Sequence, residues 1–103
     1  MVNIKYTQPA LFDLKAIFDY ISLDSKLRAR HFIFELKESI KTLKNYPDYG
    51  RVIYPSKFNN IRQLLYKSYR IIYQFNEPVI YILTIHHQSR LIENIPVLKG
   101  YEK

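Results

Sequence analysis

The chain contains no cysteine, which excludes disulfides and thiolate metal sites and allows a reducing compartment. It has only two glycines, Gly50 and Gly100, and these read as local punctuation rather than as a linker, a repeat or a low-complexity tract. No apolar run approaches the roughly 20 residues of a membrane span. The opening MVNIKYTQPALFDLK lacks the charged, apolar and small-residue order of a signal peptide. A cytoplasmic protein with no membrane partner is therefore the expectation. Acidic residues are scarce as well: 9 Asp and Glu stand against 16 Lys and Arg, for a net charge of +7. That balance favours an acidic partner, and charge alone does not choose among nucleic acid, an acidic protein segment and an anionic membrane surface.

What is present suffices for one domain, residues 1–103, since 48% of the chain is hydrophobic. Residues 2–6 read as a short strand. Pro9 then sits where a first helical turn tolerates it, and Ala10, Leu11, Leu14, Ile17, Phe18 and Ile21 recur at helical spacing, which predicts a helix over 8–22. After SLDS, with Asp24 or Ser25 as the N-cap, Ala29, Phe32, Ile33, Leu36, Ile40 and Leu43 share one face of a second helix over 25–45. Tyr46-Pro47-Asp48-Tyr49-Gly50 ends it in turn chemistry, and a looser connection runs through Pro55. IRQLLY, YRIIYQF and VIYILTI follow as strands of an antiparallel meander. Alternation sets Tyr69, Ile71, Tyr73 and Phe75 toward the helices and Arg70, Ile72 and Gln74 on an open face. The fold class is α+β: an N-terminal strand and a helical hairpin packed on a small, curved antiparallel sheet.

Two groups of residues stand out as candidates for function. Between Asp48 and Glu77 the chain carries five basic residues, Arg51, Lys57, Arg62, Lys67 and Arg70, and no acidic one. His86, His87 and Arg90 follow the last strand, so cations and imidazoles converge on a surface suited to phosphate or another polyanion. A metal site is not expected, because His31 is distant in sequence and no carboxylate cluster accompanies the pair. The second group, Phe12, Ala16 and Tyr20 on the outer side of helix one with Leu27 and Phe34 on helix two, exceeds what an internal core needs. It fits a groove for a partner's helix or strand, or a dimer contact. The Arg30, Lys37, Lys41 and Lys44 stripe is a solvated face that an acidic partner could use.

Four segments carry a family resemblance: ALFDLKAIFDYI; RARHFIFELKESIKTLKNYPDYGR; IRQL eight residues before YRIIY; and ILTIHHQSR, with His87 and Arg90 three apart. In order and spacing, residues 2–92 resemble the RelE/ParE superfamily, the toxin halves of bacterial type II toxin–antitoxin pairs, and look more like the ParE branch. The resemblance implies an antitoxin, encoded beside the toxin, that wraps and neutralises it, and it allows a toxin–antitoxin heterotetramer. ParE-like members poison DNA gyrase, whereas RelE-like members cut messenger RNA in the ribosomal A site. A third class is a toxin-fold relic that only binds its antitoxin and represses their operon.

For the ribonuclease alternative, the resemblance assigns catalysis to Arg62, Arg70, His87 and Arg90. The target-binding surface, whether for gyrase or for the ribosome with its mRNA, would comprise Arg51, Lys57, Arg62, Lys67, Arg70 and Arg90. Phe12, Ala16, Tyr20, Leu27 and Phe34 would hold the antitoxin. Strand alternation lets only one of the paired histidines face Arg70, and the spacing to Arg90 selects His87. No cofactor is implied. The sequence departs from the RelE pattern in having no tyrosine directly after Arg90, the nearest C-terminal one being Tyr101. It also has no glutamate between Glu38 and Glu77, which leaves Asp48, Lys57 or Lys67 as a central base.

Overall fold

A computed structural model describes residues 2–55, 60–90 and 92–101. The chain runs β1 (Asn3–Tyr6), α1 (Gln8–Ser22), α2 (Lys26–Lys41), β2 (Arg51–Pro55), β3 (Asn60–Tyr66), β4 (Tyr69–Asn76) and β5 (Val79–His87). Short 3₁₀ turns follow at Ile92–Asn94 and Pro96–Tyr101. The five strands lie in the order β1-β5-β4-β3-β2. The sheet is mixed rather than wholly antiparallel, because β1 pairs parallel with β5 while the meander β2 to β5 is antiparallel. Pro55, expected in a connection, ends the edge strand β2, a place where its missing N–H removes no bond from a second neighbour.

Both helices begin where their caps dictate. Thr7 accepts from the Ala10 amide ahead of α1, and Ser25, of the two cap candidates, accepts from the Arg28 amide at 3.2 Å. Helix α2 stops at Lys41, short of the expected 45, and tightens into a 3₁₀ turn over Thr42–Lys44, where the Thr42 hydroxyl donates to Ser39 O at 2.7 Å. Leu14 and Ile17 of α1 and Leu36, Ile40 and Leu43 of the α2 arm pack on Leu64, Ile71, Tyr73, Ile82 and Ile85 of the sheet. At roughly 1.5–3 kcal/mol per fully buried side chain, this layer supplies most of the drive to fold.

The opposite face of the sheet is not open. Ile95 and Leu98 from the C-terminal turns lie on Ile61, Ile72 and Leu83 in a second buried cluster. Ile72, expected toward solvent, is fully buried there. IENIPVLKGYEK is too short and irregular to show periodicity, so this cover has no signature in the sequence.

Near Leu83 the β4–β5 register shifts, since Ile72 pairs with Thr84 and Tyr73 with Ile82. Helix α1 satisfies the bulged strand. Thr7 Oγ1 lies 2.8 Å from Ile82 O and 3.1 Å from Leu83 O. Asp13 Oδ2 accepts from the Thr84 hydroxyl and, at 2.9 Å, from the Ile85 amide. The side chains that open the helix thus fix its angle to the sheet.

Candidate functional site

Arg62 is the first of the candidate cations to be tied down. It pairs across the ladder with Tyr73, on the helix side of the sheet. Its Nη1 donates to Asp48 O at 3.1 Å and Gly50 O at 2.8 Å, and its Nη2 lies 3.5 Å from Asp48 Oδ1. Only 18% of the side chain is exposed. Beside it the Tyr73 hydroxyl donates to Pro47 O and accepts from Gly50 N, both at 2.8 Å. Burial pushes this phenol above its ordinary pKa, with the Gly50 amide opposing. Asp48, the carboxylate considered as a central base, faces Arg62.

Arg70 is bound in a similar way on the other face. Its Nη1 donates to Gln63 Oε1 and its Nη2 to Gln88 O, both at 2.8 Å, and the buried Nε has no partner. Across the ladder stands His86, not His87. His87 pairs with Tyr69 on the helix side, its ring edge-on to the tyrosine at 5.5 Å between centroids. The expectation that His87 faces Arg70 therefore fails. The spacing from His87 to Arg90 reflects a turn, in which the Arg90 amide donates to His87 O at 3.0 Å, rather than a shared face. The Ser89 amide donates to His87 Nδ1 at 3.1 Å, which makes that nitrogen an acceptor. Burial holds His86 below the usual imidazole pKa; Asp13 pulls it up and Arg90 pushes it down.

The other cations lie apart. Arg90 donates to Asn94 O at 3.2 Å and lines a groove of about 570 Å³ with Phe12, Asp13, His86 and Val97. Lys67 occupies the β3–β4 turn at φ 51°, its Nζ 5.8 Å from the Phe32 ring and 5.6 Å from the Tyr66 ring. Arg51 is exposed at the start of β2, and Lys57 lies outside the described residues. Among the described residues no group of three metal-ligating side chains converges. Arg62 and His87 emerge on one face and Arg70 on the other. Along β4 their ladder partners Tyr73 and Tyr69 are four residues apart, about 13 Å at strand rise.

The helical hairpin is different in kind. Phe12 is 74% and Phe34 60% exposed, Tyr20 and Leu27 are as open, and Ala16 is exposed beside them. Between the helices runs a groove of about 410 Å³ with Leu11, Phe18 and Ile33 at its base and Lys15, Arg30 and Lys37 on its rim. Sequence periodicity placed Leu11, Phe18 and Ile33 with the core; Ile33 does pack against it, Phe18 is half-buried and Leu11 is exposed. The apolar stripe is wider than the sheet can cover, and that width was the available signal. Lys37 continues into a recess beside the β1 edge, with Tyr6, Ile40, Lys41 and Lys44.

Residues 4–92 match the family model described as the ParE toxin of type II toxin–antitoxin system, parDE. The chain belongs to the ParE toxin family. It is the toxin component of a type II toxin–antitoxin system. A curated relative of this ParE-family toxin is Toxin RelE2 of Caulobacter vibrioides, 34% identical over 92 residues that cover 88% of this chain and all of that protein. A solved structure titled "Chromosomal ParDE TA system from P. aeruginosa" matches with a TM-score of 0.70 at 27% identity, covering 84% of this chain and 96% of that one. The mixed sheet and helical hairpin of this ParE toxin are the fold of that structure. Among the described residues no helix is long and apolar enough to cross a membrane.

Proposed function

We propose that this toxin arrests growth by binding, with DNA gyrase as its target, rather than by cutting RNA. One observation carries the reading: Arg62, Arg70 and His87, which the resemblance assigns to catalysis, do not share a site. Arg62 is bonded to the Asp48–Gly50 loop on one face, Arg70 to Gln63 and Gln88 on the other, and His87 turns away from Arg70. Phosphoryl transfer needs a base, an acid and cations around a single phosphorus. The name of the RelE2 relative keeps the ribonuclease as the alternative to be tested. Purified toxin should stabilise double-strand breaks in a gyrase cleavage assay, and transcripts mapped by primer extension after induction should stay intact. Cuts phased with codon positions and an unaffected gyrase would reverse the assignment.

In this reading the antitoxin, encoded by the adjacent gene, lies in the hairpin groove. Leu11, Phe18 and Ile33 meet the apolar side of an amphipathic segment while Lys15, Arg30 and Lys37 face its acidic residues. Phe12, Ala16, Tyr20, Leu27 and Phe34 widen the contact. A cytoplasmic toxin–antitoxin heterotetramer is the proposed resting state, with the target reached only when the antitoxin is lost.

A further inference from the structure

Apart from buried Gly50 and half-buried Pro47, the loop from Tyr46 to Arg51 is exposed, yet it is fixed by two largely buried side chains from other strands. Its turn closes with the Tyr49 amide donating to Tyr46 O at 3.0 Å. Tyr73 of β4 then holds Pro47 O and Gly50 N, and Arg62 of β3 holds Asp48 O and Gly50 O. The backbone passes so close that a Cβ on Gly50 would lie 2.6 Å from Tyr73 Oη and 2.7 Å from Gln63 O. Gly50 is buried, so its amide needs a protein partner, whereas the Pro47 and Asp48 carbonyls lie nearer solvent, and their bonds to Tyr73 and Arg62 hold the loop beyond that need.

What the loop displays is two large rings at the ends of one turn. Tyr46 is 67% and Tyr49 73% exposed, and so little of either ring is covered that neither contributes much to the core. Lys44 and Arg51, both exposed, flank them. Rigid tyrosines on a fixed backbone lose little entropy on association, and Tyr and Arg are the side chains that most often dominate protein interfaces.

We propose that Tyr46 and Tyr49 form a preorganised platform that inserts into an apolar pocket with an acidic rim on the toxin's target protein. The acidic rim follows from Lys44, Arg51 and the net charge of +7. A protein is favoured over a nucleic-acid strand because the cations flanking the rings are Lys44 and Arg51, with Arg62 engaged by Asp48 and the loop carbonyls, which is few for holding a phosphate backbone. The target is favoured over the antitoxin because neither tyrosine lines the hairpin groove. Arg62 and Tyr73 are then positioning residues. The inference rests on the toxin reading but not on which protein is the target.

The test compares wild type with Tyr46→Ser/Tyr49→Ser and with Tyr73→Phe. The double variant removes only exposed rings, so it should melt within about 2 °C of wild type. It should lose growth arrest, with colony counts after induction at least tenfold higher, while its affinity for the co-expressed antitoxin stays within twofold. Tyr73→Phe keeps the rings but frees the loop, so its arrest should weaken less, and amide exchange at Gly50 should quicken. Undiminished arrest by the double variant overturns the platform. So does a parallel loss of antitoxin affinity, which would give the surface to the antitoxin. Labelled single-stranded RNA or DNA bound by wild type and released by the double variant would make it a nucleic-acid surface and reject the protein assignment. Absence of arrest by wild type is a separate result: it fails the toxin reading and removes this target with it.

Discussion

The strands and the helical hairpin of this toxin present surfaces of opposite character, one charged and one apolar. The strands carry the charge, but Arg62 and Arg70 direct their guanidinium groups at backbone carbonyls and a glutamine within the protein. The helices carry a conventional amphipathic pattern, but Phe12, Tyr20, Leu27 and Phe34 leave most of their surface exposed. A guanidinium whose two Nη groups are already engaged within the protein has lost its bidentate end to a ligand, whereas an exposed phenyl ring can gain only from a partner. Formal charge therefore locates surface poorly, and unmatched apolar area locates it better.

The comparison is broken most directly at Gly50. If the Arg62–Tyr73 network is structural, Gly50→Ala forces a methyl group against Tyr73 Oη and Gln63 O and should destabilise by about 3 kcal/mol. For a domain of this size that lowers the melting temperature by roughly 12–24 °C. A shift of a few degrees in calorimetry would show that the loop gives way and that the network is optional. The hairpin side predicts the reverse pattern. Phe12→Ser/Phe34→Ser should leave thermal stability within about 0.5 kcal/mol while weakening antitoxin binding by about 2 kcal/mol or more. Unchanged affinity in titration calorimetry would move the antitoxin elsewhere.

A smaller difference should separate the two arginines once grouped as one site. Arg70→Lys keeps the charge but cannot reach Gln63 and Gln88 together, so about 1.5 kcal/mol should be lost. Arg90→Lys gives up one exposed bond to Asn94 and should stay within about 0.5 kcal/mol. Equal losses by chemical denaturation would mean that Arg70 is no more structural than Arg90.

The fold was legible where periodicity and caps act over long segments. The bounds 8–22 for the first helix, a cap at Asp24 or Ser25 and four of the five strands follow from spacing and turn residues alone. Alternation also assigned Tyr69, Ile71, Tyr73 and Phe75 to the helix side. What escaped depends on contacts distant in sequence. The parallel pairing of β1 with β5 joins residues 3–6 to 79–82, and nothing in NIKY states a partner. The C-terminal cover is a tertiary contact made by irregular chain. For the site, the cations were visible but their engagement was not, because a carbonyl acceptor such as Gly50 O has no side-chain signature. The choice of His87 over His86 failed at one residue of register, which is enough to exchange faces.

The smallest expected effect tests the divide at a group that belongs to neither surface. His86 lies at the sheet end, across the ladder from Arg70 and in the groove with Asp13 and Arg90. Its folded pKa is lowered chiefly by burial, with Arg90 adding to the shift and Asp13 opposing it. The unfolded chain therefore takes up a proton at a higher pH than the folded one, near 6.5 for an unperturbed imidazole. The stabilising contribution of the neutral ring is complete above that pH, falls as pH drops through it and levels off below the folded pKa. His86→Gln cannot titrate. The stability of wild type minus that of the variant should thus decline as the pH falls from about 7 through about 6.5 in parallel urea titrations. His31 and His87 are present in both proteins and cancel in the difference. A difference that rose on acidification would mean that Asp13, not burial, governs His86, and that this end of the sheet holds a cationic imidazole beside Arg70 and Arg90. The sheet would then offer free charge after all, and the contrast with the hairpin would narrow.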